Sequence, residues 1–315
     1  MKIKIFTLKE KVTFPSEQLL LYGLLDDLPE EKEEEHNFKG EPKMKNVIKK
    51  CKELFIYVDD VNECDIIIFP YKYKESSDKI FLSLMKLANK QKKKLFCFFI
   101  DDNDRRIIPK KKNVILYRTS FYRKTKQKNE FAIPAFFPDY YSHDFKKNTK
   151  LSIGFCGHTN LGRLKYLNYL SKSNIETDFI IRTGFWAPGI DKLTARREYI
   201  ENMRNNLFIF CFRGTGNFCY RFYETLMMGK IPVLINTDRV FPFEECYELK
   251  SLGIIIDEQD LSKGKIDLET EILNFYHTNK NNLIDMQKNN RKIWEDYFSP
   301  KGFINHFYER CLNHF

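Results

Sequence analysis

The sequence lacks any apolar run long enough for a membrane helix. Its longest runs, LFIFCF (207–212) and DIIIF (65–69), fall far short of the roughly 20 residues a span requires. The start, MKIKIFTLKEK, is basic but has no long apolar segment and no small-residue cleavage site, so no signal peptide is expected. These two absences predict a soluble, cytoplasmic protein. None of the eight cysteines (51, 64, 97, 156, 211, 219, 246 and 311) forms a CxxC pair. That excludes a zinc ribbon and argues against a disulfide framework, leaving reduced thiols buried in apolar surroundings. No internal repeat or low-complexity tract is present. The glycine-containing loops end in neither GKS/T nor GxGxxG, which disfavours a nucleotide hydrolase and a dehydrogenase.

What is present is a globular composition with a basic excess. Apolar residues make up 43% of the 315, enough for a sizeable core in one large domain or two ordinary ones. Fifty-three Lys and Arg face 43 Asp and Glu, a net charge of +10. The excess concentrates between Lys90 and Lys150, in KQKKK, RR, KKK, YRKTKQK and KK. This is either a solvated face or a surface for an acidic partner: an anionic glycan, nucleic acid or membrane headgroups. The acidic run PEEKEEE (29–35) reads as an exposed loop or helix tip.

Buried strands alternate with amphipathic helices along the chain. KIKIF (2–6), DIIIFP (65–70), KLFCFFIDD (94–102) and NVILYR (113–118) read as strands; KNVIKKCKELF (45–55) and SDKIFLSLMKLANKQ (77–91) read as helices. A polar, turn-rich break follows at FPDYYSHDFKKNTK (137–150). A second series then begins with the strands LSIGFCG (151–157), DFIIRTG (178–184), LFIFCF, IPVLI and GIIID, again interleaved with helices. Such alternation implies parallel sheets covered on both faces. The expected architecture is α/β with two Rossmann-like lobes, residues 1–148 and 149–315. The last helix, within 302–315, carries Phe303, Phe307 and Cys311 on one stripe. It either crosses back to the first lobe or packs within the second.

The most informative stretch is CFRGTGNFCYRFYETLMMGKIPVLI (211–235). The loop RGTGN joins a strand to a helix, where open parallel sheets bind ligands. Gly214 and Gly216 permit close backbone approach, and Asn217 is placed to cap the helix. Arg221 falls in the first helical turn, where a cation opposes the macrodipole unless an anion binds there. Glu224, three residues on, is placed to orient Arg221 or to accept from a ribose. The loop GFCGHTNLGR (154–163) offers Gly157, His158, Thr159, Gly162 and Arg163 in the same strand-to-helix setting.

Residues 199–261 resemble the exostosin family of glycosyltransferases. The features are an aromatic strand, Arg213-Gly214, Arg221-Phe222, Glu224, Leu226, Gly229, IPV, Pro242-Phe243 with Glu245, and IIIDEQDL. Weaker similarity lies in IGFCGH and CDIIIFPYKY (64–73). The resemblance implies a GT-B fold with a cleft between the lobes, the acceptor on the first and a nucleoside-diphosphate sugar, usually UDP-linked, on the second. It implies inverting transfer, with Arg213, Arg221 and Glu224 at the donor. Animal and plant members commonly carry a membrane anchor, so this chain resembles a soluble bacterial or viral form.

Inverting transfer needs a base for the acceptor hydroxyl and charge stabilisation of the departing diphosphate. Arginines and helix dipoles suffice for the second, so neither metal nor cofactor is expected. The base candidates are Asp101, Asp102, His158 and Glu245. The basic, aromatic segment 117–141 is a candidate lining for a glycan acceptor, and the 90–150 region for peripheral contact with a membrane surface. Two other readings stand beside this one: a GDP-sugar enzyme such as a fucosyltransferase (or a phosphorylase), and a basic nucleic-acid-binding protein, against which the interspersed acids and lack of a reading motif weigh.

Overall fold

The computed structural model describes residues 1–8, 51–71, 79–105, 112–141, 148–159, 161–184 and 187–313. The acidic run 29–35 and most of the helix expected over 45–55 lie outside them. The first sheet contains β1 (Ile3–Phe6), β2 (Phe55–Tyr57), β3 (Ile66–Phe69), β4 (Leu95–Phe99), β5 (Val114–Arg118) and β6 (Glu130–Ala132). The second contains β7 (Ser152–His158), β8 (Glu176–Arg182), β9 (Phe208–Cys211), β10 (Ile231–Asn236) and β11 (Ile254–Asp257). All described pairings in both sheets are parallel. The helices are α1 (Lys79–Lys90), α2 (Leu161–Leu170), α3 (Lys192–Asn205), α4 (Tyr220–Met227), α5 (Glu258–Ser262), α6 (Leu268–Asn279), α7 (Leu283–Ile293) and α8 (Pro300–Leu312).

Strand order exposes the logic of the fold. The first sheet runs β2-β1-β3-β4-β5-β6; the second, read from its free edge, runs β8-β7-β9-β10-β11. Each half therefore repeats the doubly wound order 2-1-3-4-5. That order reverses between β1 and β3 in one sheet and between β7 and β9 in the other. At such a reversal the connecting helices leave to opposite faces and open a crevice beyond the carboxyl ends of the strands.

The central strands are continuous apolar runs because both faces are covered. β3, β4, β5 and β9 are buried throughout. Two short strands, β2 and β6, escaped the sequence reading: three residues do not establish a period. β6 falls within the basic, aromatic segment 117–141, the candidate acceptor lining.

The last helix crosses back. Phe303, Ile304, Phe307 and Cys311 of α8 join Ile5, Phe55, Phe96, Phe98 and Tyr117 in the core of the first sheet. Phe307 lies 5.3–5.7 Å, centroid to centroid, from Phe55, Phe96, Phe98 and Tyr117. Two Rossmann-like parallel sheets with a C-terminal helix returning to the first make the GT-B layout. Among the described residues no helix is long and apolar enough to cross a membrane.

Candidate functional site

The crevice at the β7/β9 reversal is built by three loops. The first follows β7 and opens α2. Gly157 there has φ 152°, and a Cβ on it would lie 2.7 Å from the Arg221 Nη2. Only glycine lets the guanidinium pass. Arg221 enters from the first turn of α4, donates from Nη2 to the Cys156 carbonyl (2.7 Å), and lies over the Phe155 ring at 4.2 Å. Its Nε is buried with no hydrogen-bond partner among the described residues. Arg163, from α2, donates to the carbonyls of His158 (2.9 Å) and Phe212 (3.2 Å), tying the β7 loop to the β9 loop. Burial, followed by the charge of Arg221, pulls the Arg163 pKa down.

The second loop, Phe212–Phe218, is held from the other lobe. Arg213 donates to Tyr122 Oη (2.5 Å), to Asp104 Oδ2 (3.0 Å) and to the Thr215 carbonyl (3.0 Å). Tyr122 Oη in turn donates to Asp104 (2.9 Å), closing a three-membered network across the cleft. A Cβ on Gly216 would fall 2.1 Å from the Asp102 carbonyl oxygen and 2.5 Å from Ser120 Oγ. Gly216 is thus where backbone meets backbone between the lobes. Asn217 is fully buried and donates to the Phe121 carbonyl (2.9 Å) while accepting from Thr237. It does not cap α4, as its sequence position suggested. The N-cap is Cys219, without a side-chain cap bond, because the Asn217 amide is engaged across the interface.

Glu224 is also engaged elsewhere than expected. It accepts from Tyr199 Oη and stands 3.8 Å from Arg196 Nη1, both on α3, rather than bonding Arg221. Burial raises its pKa. Arg196 lies over the Tyr140 ring at 4.3 Å and donates to its hydroxyl. These α3 partners were missed in the sequence, since nothing local links residue 196 to residue 224.

The third loop follows β10. Asp238 accepts from the Lys124 amide (3.1 Å), and Glu244 receives Arg123 in a two-pronged pair (2.8 and 2.5 Å). Glu245 pairs with Arg310 of α8, away from the arginines of the crevice. Arg239, in the same loop, was also missed by sequence reasoning.

The remaining base candidates divide by position. His158 Nδ1 is 3.3 Å from the Arg182 carbonyl, on the second lobe. Asp101 Oδ1 accepts from the Asn103 amide (2.9 Å) in a turn beyond β4. Asp102, its neighbour, is exposed and lies against the Gly216 loop. Partial desolvation of its carboxyl and the charge of Asp101 push its pKa up, against the pull of Arg213. Buried Arg118 steadies this acidic turn by donating to the carbonyls of Asn103 and Arg105.

The basic region splits in two. Lys94, Lys112 and Lys128 precede β4, β5 and β6, at the opposite end of the sheet from the cleft. Tyr122 and Arg123 follow β5 and sit at the lobe interface.

No protein-family model matches the chain. A segment of 65 residues is 32% identical to a protein named "Probable glucuronosyltransferase Os02g0520750" of Oryza sativa subsp. japonica, covering 21% of this chain and 15% of that protein. It is 37% identical over 65 residues to the "Exostosin-1 homolog" of Caenorhabditis elegans, 21% of this chain and 17% of that one. Over 63 residues it is 33% identical to a protein named as a probable beta-1,4-xylosyltransferase of Arabidopsis thaliana, 20% of this chain and 15% of the relative. The similarity thus spans about a sixth of the length of these relatives. Crystal structures of TarM superpose with a TM-score of 0.41 at 11% identity; one of them covers 73% of this chain and 52% of that one. The chain therefore carries, on a two-lobed α/β frame, a segment similar to the exostosin-family glycosyltransferases.

Proposed function

We propose that the protein is a glycosyltransferase that moves a sugar from a nucleoside diphosphate, UDP by preference, to a hydroxyl of a glycan acceptor. The observation that carries this reading is the convergence of Arg163 and Arg221 at the amino end of α4, beyond the β7/β9 reversal. Arg221 is buried there and makes no ion pair with a described carboxylate. A buried cation without a counter-ion is costly, and a diphosphate supplies that counter-ion. Gly157 leaves room for the Arg221 guanidinium, and the loops after β7 and β9 flank the position proposed for the diphosphate. The glucuronosyl- and xylosyltransferase names of the relatives favour the same chemistry.

In this reading residues 149–315 hold the donor and residues 1–148 the acceptor. Arg163, Arg221 and the α4 dipole stabilise the departing diphosphate, each charge-assisted bond contributing about 1.5–3 kcal/mol. Arg213 joins them from the interface, its orientation set by Tyr122 and Asp104. Glu224, steadied by Tyr199, meets the nucleoside side. Asp102 is the best-placed base. It comes from the first lobe, opposite the diphosphate loop, and its raised pKa brings it nearer the range useful for proton abstraction. A base across the cleft from the leaving group fits inversion. The arginines and the helix supply the charge, so the scheme calls for no cofactor. The lysines at the amino ends of β4, β5 and β6 leave the cleft free if that end rests on an anionic membrane surface.

Calorimetric titration with UDP, GDP and a panel of UDP-sugars tests the assignment. Binding selective for UDP supports it, and the tightest UDP-sugar names the donor. Selective GDP binding moves the reading to a GDP-sugar enzyme. A folded protein that binds none of them contradicts it.

A further inference from the structure

The Arg239 side chain makes no hydrogen bond or ion pair among the described residues. It lies three residues beyond β10, in the turn NTDRVFPF, and is 2% exposed. Its Nη1 is buried with no hydrogen-bond partner, and no carboxylate pairs with it among the described residues. The acids nearest in sequence are committed elsewhere: Asp238 to the Lys124 amide and Glu244 to Arg123. Its guanidinium is flanked instead by two rings, Phe218 at 5.9 Å and Phe241 at 5.5 Å. Phe218 is the residue before the N-cap of α4. Arg239 therefore stands against the segment that leads into α4, the helix whose first turn carries Arg221.

Burying a cation without a counter-ion works against folding, and placing it at a helix amino end adds to the cost. A second buried arginine, Arg221, shares the defect at its Nε. Each of these two arginines thus has one buried guanidinium nitrogen without a partner, Arg221 in the first turn of α4 and Arg239 against the residue before its N-cap. The Cys219 thiol is buried at the N-cap of α4. Its pKa is drawn down by a hydrogen bond from Cys211 and by the charges of Arg239, Arg221 and Arg163.

We infer that Arg239 is a further phosphate-binding residue of the donor site, reaching the bound diphosphate from the β10 side opposite Arg163. This rests on the donor reading above. It adds a residue that the 199–261 resemblance does not mark, and it explains why the chain tolerates a buried, unpaired charge. The charge is an unsatisfied half of a complex, destabilising when the site is empty and satisfied when the anion arrives.

The test uses Arg239→Met, which keeps length and packing between the two rings but removes the charge. Thermal unfolding and calorimetry with UDP, UMP and uridine are run on wild type and variant. The expected result is a paired signature. The empty variant unfolds at the same temperature as wild type or higher. Its affinity for UDP falls about tenfold or more, with uridine binding unchanged. Arg239→Lys, which keeps the charge, recovers part of the UDP affinity. A variant that unfolds earlier and keeps wild-type UDP affinity overturns the inference, because the guanidinium then serves the fold. Wild-type protein that binds no UDP defeats the donor reading itself, a different failure from that of Arg239.

Discussion

At Gly216 a single hydrogen atom separates two lobes. With a methyl group in its place, the Asp102 carbonyl would have to retreat from 2.1 Å to an ordinary contact distance. Neither side of that contact is the end of a flexible side chain, so the lobes must shift. Gly216→Ala is expected to lower stability by about 1–3 kcal/mol and to depress transfer more than donor affinity. Thermal unfolding, with KM for the donor measured beside kcat, checks this. Asp102, across the same contact, gives the pH prediction. Its carboxyl must be ionised to act as a base, and its pKa is pushed up by partial desolvation and by Asp101. Activity should therefore fall as pH drops through a midpoint raised above the ordinary aspartate value. Asp102→Asn should remove that limb of the profile along with most of kcat. A profile unchanged in shape in Asp102→Asn would assign the base elsewhere.

At the scale of elements, the strand-to-helix loops were legible because their chemistry is local. A glycine-bearing loop with arginines after a buried strand announces a site within ten residues. Arg163, Arg213 and Arg221 were marked as candidates this way, and the alternation that makes two parallel sheets was legible from the same local patterns. What fixes those side chains was not legible. Arg213 is held by Tyr122 and Asp104, about a hundred positions away. Glu224 answers to Tyr199 and Arg196 on a different helix. Arg239 had one local signal, a cation at the head of the apolar run VFPF in the turn after a strand. The final helix left two docking choices open because its stripe is apolar whichever lobe it meets. The structure resolves the choice, and with it a stability effect. Phe307→Ala should cost about 3–5 kcal/mol, felt in the first sheet although residue 307 is near the end of the chain. Hydrogen exchange should show lost protection in β1, β4 and β5 rather than in β7 and β9. Loss confined to the second sheet would contradict the crossover packing.

Across the whole molecule, each half repeats one strand order, and the β7/β9 reversal opens onto the lobe interface. The interface is bridged by Arg213 with Asp104, by Arg123 with Glu244, and by Asn217 with the Phe121 carbonyl. Exposed pairs such as Arg123 with Glu244 contribute little individually. The buried amide of Asn217 and the backbone contact at Gly216 set the approach of the lobes more firmly. Charge is arranged on the same plan. The lysines at the amino ends of β4, β5 and β6 are spread over a surface, whereas half-buried Arg163 and buried Arg221 meet at the start of α4, with buried Arg239 against Phe218 just before it. Calorimetry with UDP on wild type, Arg221→Ala and the distant Arg291→Ala addresses that arrangement most directly. The account predicts UDP binding in wild type, a loss of about tenfold or more in Arg221→Ala, and wild-type affinity in Arg291→Ala. Equal UDP affinity in wild type and a folded Arg221→Ala would contradict a donor site at the amino end of α4.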